Sequence, residues 1–455
     1  MEHSKEYNER VKRRIRRRRI KLCLIAGLVS FAIAFSVIAC SNMKSGNNPT
    51  PPDNGQSQDG GDTSGGGEKL DSNVLASATI VSTGDILIHD NVLGGAKTAS
   101  GGYDFSGMFP YIKSYFSAAD YMVANLEVTL GGSEAGSYKG YPYFNSPDSV
   151  IDDFKAAGVD MFLTANNHTY DTGLKGLRRT MQVLADKNAD FIGTRTDKSK
   201  PFYTVKDING VKVGFVVYTY ETATTSAGLK SLNGNVLSAE AGPLVSSFSY
   251  AKLDEFYSTV QSDYSAMLEA GADAVIAYVH WGNEYSTSPN SYQKQIAQKL
   301  ADIGIDVIVG AHPHVVQPFT TLSGKDGKET LCIYSVGNCV SNQRKDILTE
   351  DCPTGHTEDG MLFGITVEKH RDGSVKITNA NILPIWVNLK MISGKRTYEI
   401  VPLDLSVADW TSLGLDSATL RDAKASYNRT MKIVGSGYNA YLKAHSLPEV
   451  KTVIE

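Results

Sequence analysis

Seven short apolar runs limit the architectures that this chain can adopt. They are rich in β-branched and aromatic residues, as expected of buried strands, and they occupy residues 78–88, 121–127, 159–168, 211–220, 272–282, 305–314 and 331–338. The segments between several of them predict helices at 148–157, 173–188, 249–270 and 289–303. Such alternation predicts an α/β fold in which central sheets are flanked by helices.

The last part of the chain departs from this alternation. Two consecutive strands are predicted at 360–370 and 374–386, in a hairpin-like arrangement. Because the strands of a hairpin are antiparallel, the central sheets are predicted to be mixed. Residues 405–444 have helical character. We therefore predict a globular domain over 74–400 and a C-terminal helical extension over 401–455.

The first 40 residues have the layout of a secretory signal or a membrane anchor. The basic segment VKRRIRRRRIK precedes residues 22–39, which carry no charge. The positive-inside rule keeps such a basic segment in the cytoplasm and places the rest of the chain outside. Two outcomes fit. Either the chain is cut before Cys40 and lipidated there, because Val37–Ser41 resembles a lipobox, or the segment remains as an anchor that spans the bilayer. Both predict the extracellular face of the cell membrane.

Residues 41–73 are predicted to form a disordered linker. They consist mostly of Asn, Gly, Ser, Pro, Asp and Gln and contain too little apolar surface to fold. The chain has a net charge of −4 although its N-terminal segment is strongly basic, so the remainder is acidic. Nucleic acid is not expected as a partner, because its binding depends on basic side chains that neutralise phosphates.

The cysteines do not indicate a thiolate zinc site, because none of the five forms a CxxC pair. Three of them, Cys332, Cys339 and Cys352, lie close together in the sequence. An extracellular location allows one disulfide among these three. We favour Cys339–Cys352, although sequence alone does not set the pairing.

Several apolar runs end in polar residues of the kinds that bind metals. In α/β folds ligands bind where strands run out into loops, so side chains from successive strand ends can converge on one pocket. Each residue taken alone has an ordinary structural explanation, such as a turn cap or a satisfied core histidine. The candidates are Asp85, Asn125 with Glu127, Asn166 with Asn167 and His168, His280, and His312 with His314.

Two of these signals are more specific than the others. Glu127 ends a buried strand, where a carboxylate needs a partner or a cation. His312 and His314 flank Pro313, which stiffens the loop, and imidazole is the commonest nitrogen ligand of metals. Gly310 is expected to permit an unusual backbone angle before this pair.

The composition of this set limits the metal and the chemistry. Carboxylates with Asn and His, and no Cys, suit one or two divalent transition metals such as Mn, Fe or Zn. Two metals that share a carboxylate would clamp a phosphoryl group. His168, beside the predicted ligand Asn167, is then placed to protonate a leaving oxygen as general acid. The histidines without a comparable setting, predicted to face solvent, are His3, His356, His370 and His445.

The motifs taken together resemble the CapA family of bacterial capsule, or poly-γ-glutamate, synthesis proteins, which is related to the calcineurin-like metallophosphatases. The resemblance covers about residues 78–400. The residues that carry it are Thr83-Gly84-Asp85, Asn125-Leu126-Glu127, Asn166-Asn167-His168 with Asp171 and Gly173, His280-Trp281-Gly282 with Glu284-Tyr285, Gly310 with His312-Pro313-His314-Val315, and Tyr334-Ser335 with Gly337-Asn338.

The resemblance implies a layered metallophosphatase-like fold and a role for each matching residue. It implies that His168 is catalytic and that the metal ligands are Asp85, Glu127, Asn167, His280, His312 and His314. The neighbours implied to orient them are His89, Asn125, Asn166, Asp171, Glu284 and Asn338. Two departures weaken the first metal position: Leu87 stands where the superfamily has a histidine, for which His89 is a candidate substitute, and Glu127 replaces a shorter bridging aspartate.

Three functions are compatible with these features. The first is metal-dependent hydrolysis or transfer at the cell surface, on a phosphoester or on an amide-linked anionic polymer such as poly-γ-glutamate. The second is a non-catalytic, polymer-binding component of a membrane capsule synthase or export complex. The third is a lipoprotein receptor for a small ligand. The presence of His168, which proton transfer needs and metal binding does not, favours the first.

Overall fold

The computed structural model describes residues 73–225, 228–405, 410 and 415–454. Its strands, numbered β1 to β18 in chain order, are Val74–Ile86, Tyr121–Leu126, Met161–Leu163, Asp190–Ile192, Tyr203–Ile208, Val211–Tyr220, Ala223–Thr224, Lys230–Leu232, Asn235–Val236, Ser247–Phe248, Ala274–His280, Val307–Ala311, Phe319–Ser323, Glu329–Ile333, Asn338–Val340, Asp359–His370, Val375–Ile392 and Lys395–Pro402. Its α-helices, numbered α1 to α7, are Asp90–Ala96, Lys113–Ser117, Ser149–Ala157, Gly173–Asp186, Leu253–Glu269, Ser291–Ile303 and Ser417–Ala444.

The predicted N-terminal signal or anchor lies outside the described residues. The same holds for Cys40 and for all but the last residue of the predicted linker. Among the described helices, none combines the length and the apolar character needed to cross a membrane.

The first large sheet has eight strands in the order β18-β17-β16-β1-β2-β3-β4, with β15 also paired to β1. Strands β1 to β4 run parallel to one another. Strands β16, β17 and β18 are antiparallel to their neighbours, so the sheet is mixed. Near its carboxyl end, β1 pairs with β15 in parallel, and this pairing sets Asp85 opposite Asn338.

The second large sheet has seven strands in the order β10-β6-β11-β12-β14-β13, with β5 also paired to β6. Its central strands β6, β11, β12 and β14 are parallel, whereas β5 and β13 are antiparallel to their partners. A separate three-stranded antiparallel sheet, β7-β8-β9, lies in the chain between β6 and β10.

The two large sheets share one buried apolar core. Ile80 of β1, Phe215 of β6 and Ile276 of β11 belong to the same cluster. Across this interface the hydroxyls of Ser82 and Tyr278 are hydrogen-bonded at 2.9 Å. Helices α1 and α3 pack on the first sheet through a second cluster, and α5 and α6 pack on the second sheet through a third. The predicted α/β architecture of mixed sheets flanked by helices is confirmed.

Most predicted elements are found, but two apolar runs are divided differently. The run at 159–168 forms a strand only over Met161–Leu163, and its polar end enters a loop. The run at 331–338 belongs to two strands. Strand β14 ends at Ile333 in the second sheet, and after a turn at Gly337, with φ +70°, β15 begins in the first sheet. The chain therefore crosses between the sheets inside one apolar run.

The predicted Cys339–Cys352 disulfide is wrong. Both residues, and Cys332, are free and buried. Cys339 packs in the cluster on the outer face of the first sheet, whereas Cys352 packs with Val315 and Leu348. The two side chains thus fill different apolar clusters although they are near in sequence.

The histidines predicted to face solvent behave differently from one another. His356 is partly exposed and His445 is exposed, whereas His3 lies outside the described residues. The prediction is wrong for His370, which is only 5% exposed. This residue ends β16, and its Nε2 lies 3.5 Å from Glu368 Oε2.

The C-terminal helix α7 is part of the main core. Tyr427, Met431 and Tyr438 belong to the cluster that joins the two large sheets. A buried ion pair adds to this packing, because Arg429 donates from Nε and Nη2 to the carboxylate of Asp359 over 2.7 and 2.6 Å. Burial raises the pKa of Asp359, but the charge and hydrogen bonds of Arg429, with hydrogen bonds from His356 and Ser426, outweigh this effect and the pKa is lowered.

Replacing Arg429 with Met should lower the free energy of unfolding by about 3–5 kcal/mol, because it leaves the Asp359 carboxylate buried without its cation. The contribution of the pair to the free energy of unfolding should persist at neutral pH and be lost as the pH falls below about 4. The reason is that the pKa of Asp359 is lower in the folded chain than in the unfolded chain. Urea unfolding of the detergent-solubilised chain measures both effects. Arg421→Met, at an exposed position of the same helix, is the control. Equal losses of unfolding free energy in the two variants would contradict the prediction.

Candidate metal centre

The polar residues predicted at strand ends come together at the carboxyl ends of parallel strands. Five strands from both large sheets supply them: β1, β2 and β3 from the first, and β11 and β12 from the second. The side chains are deeply buried, with at most 4% exposure. The residues so placed are Asp85, Asn125, Glu127, Asn166, Asn167, His168, His280, His312 and His314.

Glu127 is at the centre of this arrangement. Its Oε1 lies 3.5 Å from Nε2 of His280 and 3.8 Å from Nε2 of His314. Ligand atoms within 4.8 Å of one another define two groups, Glu127 with His280 and His312, and Glu127 with Asp85 and His314. Neither carboxylate oxygen of Glu127 has a hydrogen-bond partner among the described residues, and Nδ1 of His312 has none either. A carboxylate shared by two such groups can bridge two cations.

Asp85 is held in place by three donors. Asn125 Nδ2 donates to Oδ1 over 2.7 Å. The other oxygen, Oδ2, lies 3.1 Å from Nδ1 of His314 and accepts the backbone N–H of His312 at 3.3 Å. Asn166 in turn fixes Asn125, because its Nδ2 donates to Asn125 Oδ1 over 3.2 Å. These bonds orient the carboxylate before any cation binds.

Burial shifts the pKa values of the site residues away from their ordinary values. It raises the pKa of Glu127 well above its ordinary value, and the charge of Asp85 adds to this effect. Burial also lowers the pKa of His280 to about 3 and the pKa of His312 well below its ordinary value. For His314, burial lowers the pKa, but the hydrogen bond and charge of Asp85, the charge of Glu284 and the hydrogen bond of Asn338 together outweigh it, so the pKa is raised. His280 and His312 are therefore neutral, which is the form that binds metals.

Asn167 and His168 occupy neighbouring but different settings. Oδ1 of Asn167 lies 2.8 Å from Nε2 of His280, next to the unpartnered Glu127 carboxylate. His168 instead turns its Nδ1 to Oδ2 of Asp171, 2.7 Å away. The Asp171 carboxylate fixes the orientation of the His168 ring and leaves Nε2 as the nitrogen that can exchange a proton with a bound substrate.

The loop that carries the two histidines after β12 has a strained backbone. His312 and His314 have φ values of +93° and +56°, a region that bulky side chains rarely adopt. Such strain costs on the order of 1–3 kcal/mol per residue and is typical of functional sites. Gly310 has a different role from the one expected. It lies inside β12, and a Cβ there would come within 1.9 Å of the Tyr334 carbonyl oxygen, so the glycine allows close approach of two backbones.

The remaining predicted residues lie around the centre. Asn338 contacts His314 twice, with Oδ1 3.2 Å from the ring Nδ1 and Nδ2 donating to the backbone carbonyl over 3.2 Å. Glu284 is exposed, and its charge contributes to the raised pKa of Glu127. His89 belongs to neither group of ligand atoms. Its Nδ1 instead accepts the backbone N–H of Asn342 at 3.2 Å.

Two residues near the site were not predicted from the sequence. Asn233 places its side-chain nitrogen 3.3 Å from Nδ1 of His168 and 3.3 Å from Oδ1 of Asp171. The ring of Tyr220 lies 4.8 Å from that of His312. The signal for Asn233 was the Asn-Gly pair at 233–234, which favours a tight hairpin turn but carries no indication of what the turn contacts.

The described residues fit a divalent transition metal on two grounds. Carboxylate oxygens, imidazole nitrogens and an amide oxygen, with no thiolate, suit Mn, Fe or Zn. Buried polar atoms normally have partners, and the oxygens of Glu127 and Nδ1 of His312, which have no hydrogen-bond partner among the described residues, are atoms that a cation could bind. The buried cluster of His, Glu and Asp is therefore compatible with a metal site.

Comparison with known proteins identifies similar capsule proteins. The chain is 29% identical to the PGA biosynthesis protein CapA of Bacillus subtilis over 279 residues, which is 60% of this chain and 65% of that protein. It is 27% identical to the capsule biosynthesis protein CapA of Bacillus anthracis over 269 residues, 58% of this chain and 60% of that protein. A probable polyglutamine synthesis accessory protein of Mycobacterium tuberculosis is 27% identical over 236 residues, 50% of this chain and 57% of that protein. The matches thus span less than two thirds of each relative.

Among solved structures, the NAD nucleotidase of Haemophilus influenzae has a TM-score of 0.40 and 13% identity to this chain. The superposition covers 81% of this chain and 67% of that one.

The family described as "Bacterial capsule synthesis protein PGA_cap" matches residues 79–343. This match covers more than half of the chain and contains every residue of the candidate metal centre. The chain therefore belongs to the PGA_cap family of bacterial capsule synthesis proteins.

Proposed function

We propose that this protein is a metal-dependent hydrolase or transferase that acts at the extracellular face of the cell membrane during synthesis of a poly-γ-glutamate type capsule. The observation that carries the proposal is the buried Glu127 carboxylate, shared by two groups of ligand atoms and without a partner on either oxygen. The names of the Bacillus relatives support the capsule context.

The proposed ligands form one continuous set around Glu127. Metals bound there would supply Lewis-acid polarisation of the scissile group and offset the charge of an anionic substrate. That set is Asp85, Glu127, Asn167, His280, His312 and His314, with Mn, Fe or Zn as the metal.

His168 is the proposed proton-transferring residue. Its Nδ1 is tied to Asp171, whose Oδ2 also accepts the backbone N–H of Phe144 at 2.7 Å. The rings of Phe144 and His168 pack in a T-shaped arrangement, with centroids 4.7 Å apart. These contacts exclude water from that side of the imidazole and hold its Nε2 in one direction. A fixed imidazole can protonate the leaving oxygen or amine of a substrate.

The substrate class follows from charge and from the family. An acidic domain repels an anionic polymer unless local positive charge offsets the repulsion, and the cations of the proposed centre would do so. The proposed substrate is therefore an anionic polymer or a phosphoester at the outer surface. The basic and apolar N-terminal segments support a membrane location, with lipidation at Cys40 as the favoured form and an uncut anchor as the alternative.

A second candidate function is that of a non-catalytic, polymer-binding component of a capsule synthase or export complex. Two observations favour it. The centre is almost closed to solvent, since its side chains expose at most 4% of their surface. The mycobacterial relative is described as an accessory protein. Turnover that depends on His168 separates the two candidates, because polymer binding does not need a proton-transferring residue.

Metal content tests the centre directly. The detergent-solubilised full chain should hold about one or two transition metals after incubation with Mn or Zn, measured by plasma mass spectrometry. Glu127→Gln and the double variant His312→Ala/His314→Ala should lose them, because each removes shared or adjacent ligands. His445→Ala, at an exposed histidine outside the centre, should retain them. A metal-free wild type would exclude the catalytic proposal.

Turnover tests the role of His168. With metal content unchanged, His168→Ala should lower kcat for a phosphodiester or a γ-glutamyl oligomer by about 10²–10⁴-fold, because it removes the proton donor. Asp171→Asn should cause a smaller loss, since it weakens the bond that orients the ring. The partly exposed His356→Ala serves as the control. Metal binding without turnover of either substrate in the wild type would leave the polymer-binding function in place.

The N-terminal processing is tested by intact mass. In a bacterial host that lipidates exported proteins, the mature chain should begin at Cys40 and carry a lipid on that thiol. Cys40→Ala should remain uncut, whereas Cys23→Ala, in the same apolar segment, should be processed as the wild type. A mature wild-type chain that begins before Cys40 and has no lipid would support the uncut anchor instead.

A further inference from the structure

The small β7-β8-β9 sheet reaches the proposed proton-transferring pair. The turn between β8 and β9 consists of Asn233 and Gly234, with φ values of +46° and +74°. Both values lie in the left-handed region, as in the tight hairpin turns that an Asn-Gly pair favours. The backbone conformation explains why Asn is tolerated at this position. It does not explain where the side chain points.

The Asn233 side chain contacts three groups around His168. Its Nδ2 lies 3.0 Å from the carbonyl oxygen of Pro142, 3.3 Å from Oδ1 of Asp171 and 3.3 Å from Nδ1 of His168. Two of these partners are oxygens that accept hydrogen bonds, so the amide nitrogen is the atom that fits. The His168 Nδ1 proton is directed to Asp171, whose oxygen is closer at 2.7 Å. The Asn233 amide therefore donates to Asp171 and Pro142.

This donation completes the hydrogen bonding of Asp171. Its Oδ2 accepts from the ring of His168 and from the backbone N–H of Phe144, both at 2.7 Å. Oδ1 accepts from Asn233. Without the amide, Oδ1 would lose this donor and the carboxylate could rotate about its Cβ–Cγ bond. The His168 ring would then lose its fixed direction, because Asp171 is what holds Nδ1.

Apolar packing holds the turn in this position. Leu232, the residue before Asn233, is fully buried in a cluster with Leu177 and Met181 of α4. Helix α4 begins at Gly173, two residues after Asp171. The turn packs on α4 through Leu232, and the Asp171 loop leads directly into the same helix. This shared support places Asn233 beside Asp171.

We propose that Asn233 is a positioning residue that fixes the Asp171 carboxylate and thereby the His168 ring. The β7-β8-β9 sheet delivers it from outside the two large sheets. The effect on turnover rests on the proposed function above, whereas the effect on the His168 ring does not. Residues that orient the ligands of a metal site typically change metal affinity or activity by about 10- to 100-fold when removed, and we expect an effect of the same order on turnover here.

The chain offers a matched control for this residue. Asn209 and Gly210 form a second Asn-Gly turn, between β5 and β6, with φ values of +52° and +88°. Asn209 is exposed. Asn233→Gly and Asn209→Gly therefore make the same change in the same kind of turn, and only the first removes a donor near Asp171. Asn233→Asp is a further variant that suits the turn but sets a carboxylate against Asp171.

Two readouts on the full chain test the proposal. In Asn233→Gly and Asn233→Asp, carbethoxylation of His168 by diethyl pyrocarbonate, taken from its pH profile at the limit where the imidazole is neutral and followed by peptide mass spectrometry, should be several-fold faster than in wild type, and that of His445 unchanged. On a metal-loaded chain that turns over, kcat should fall about 10- to 100-fold with little change in KM or metal content. Asn209→Gly should match wild type in both.

The possible results separate this proposal from the proposed function. If His168 reacts at the same rate in Asn233→Gly, Asn233→Asp and Asn209→Gly, the positioning role is wrong, whatever the activity. If the wild type does not turn over but His168 becomes more reactive in both Asn233 variants, the positioning role stands and only the catalytic function fails. If Asn233→Gly does not fold, Asn233→Asp decides by the same His168 measurement.

Discussion

The burial of Glu127 is the constraint on which the site depends. A carboxylate without hydrogen-bond partners in an apolar interior is unfavourable unless it is neutralised or bound to a cation. Burial holds His280 and His312 neutral. His314, whose pKa is raised, has its Nε2 3.8 Å from Oε1, and Oε2 has no hydrogen-bond partner among the described residues. These buried polar side chains suit a set of metal ligands, whereas they would be unfavourable as part of an apolar core. We therefore interpret them as a candidate metal centre.

The convergence of these residues could be predicted because parallel strands end at the same edge of a sheet. Asp85, Glu127 and His280 follow buried apolar runs, and that position alone indicated a common pocket. The sequence could not show that the pocket lies between two sheets. Runs of apolar residues look alike in both sheets, and the crossing from one to the other occurs at Gly337, inside a single run.

Predictions failed where packing rather than pattern decides the outcome. Cys339 and Cys352 are close in sequence, yet their side chains fill separate apolar clusters. His370 was predicted to face solvent because it has no setting like that of the site histidines, but at the end of β16 it is only 5% exposed. Asn233 lies in the turn between strands of three and two residues, which are too short to give a periodic signal. Its contacts depend on tertiary structure alone.

The residues of the candidate centre cost the fold stability in the absence of a cation. Positive φ angles at His312 and His314 and the buried Glu127 carboxylate each cost free energy that the packed sheets must offset. Cations that bind the folded chain and not the unfolded one return part of this cost, by about 2.7 kcal/mol at one hundred times Kd. Metal binding at the proposed centre would therefore be coupled to folding through Glu127, and the strained histidine loop is what brings both imidazoles to this carboxylate.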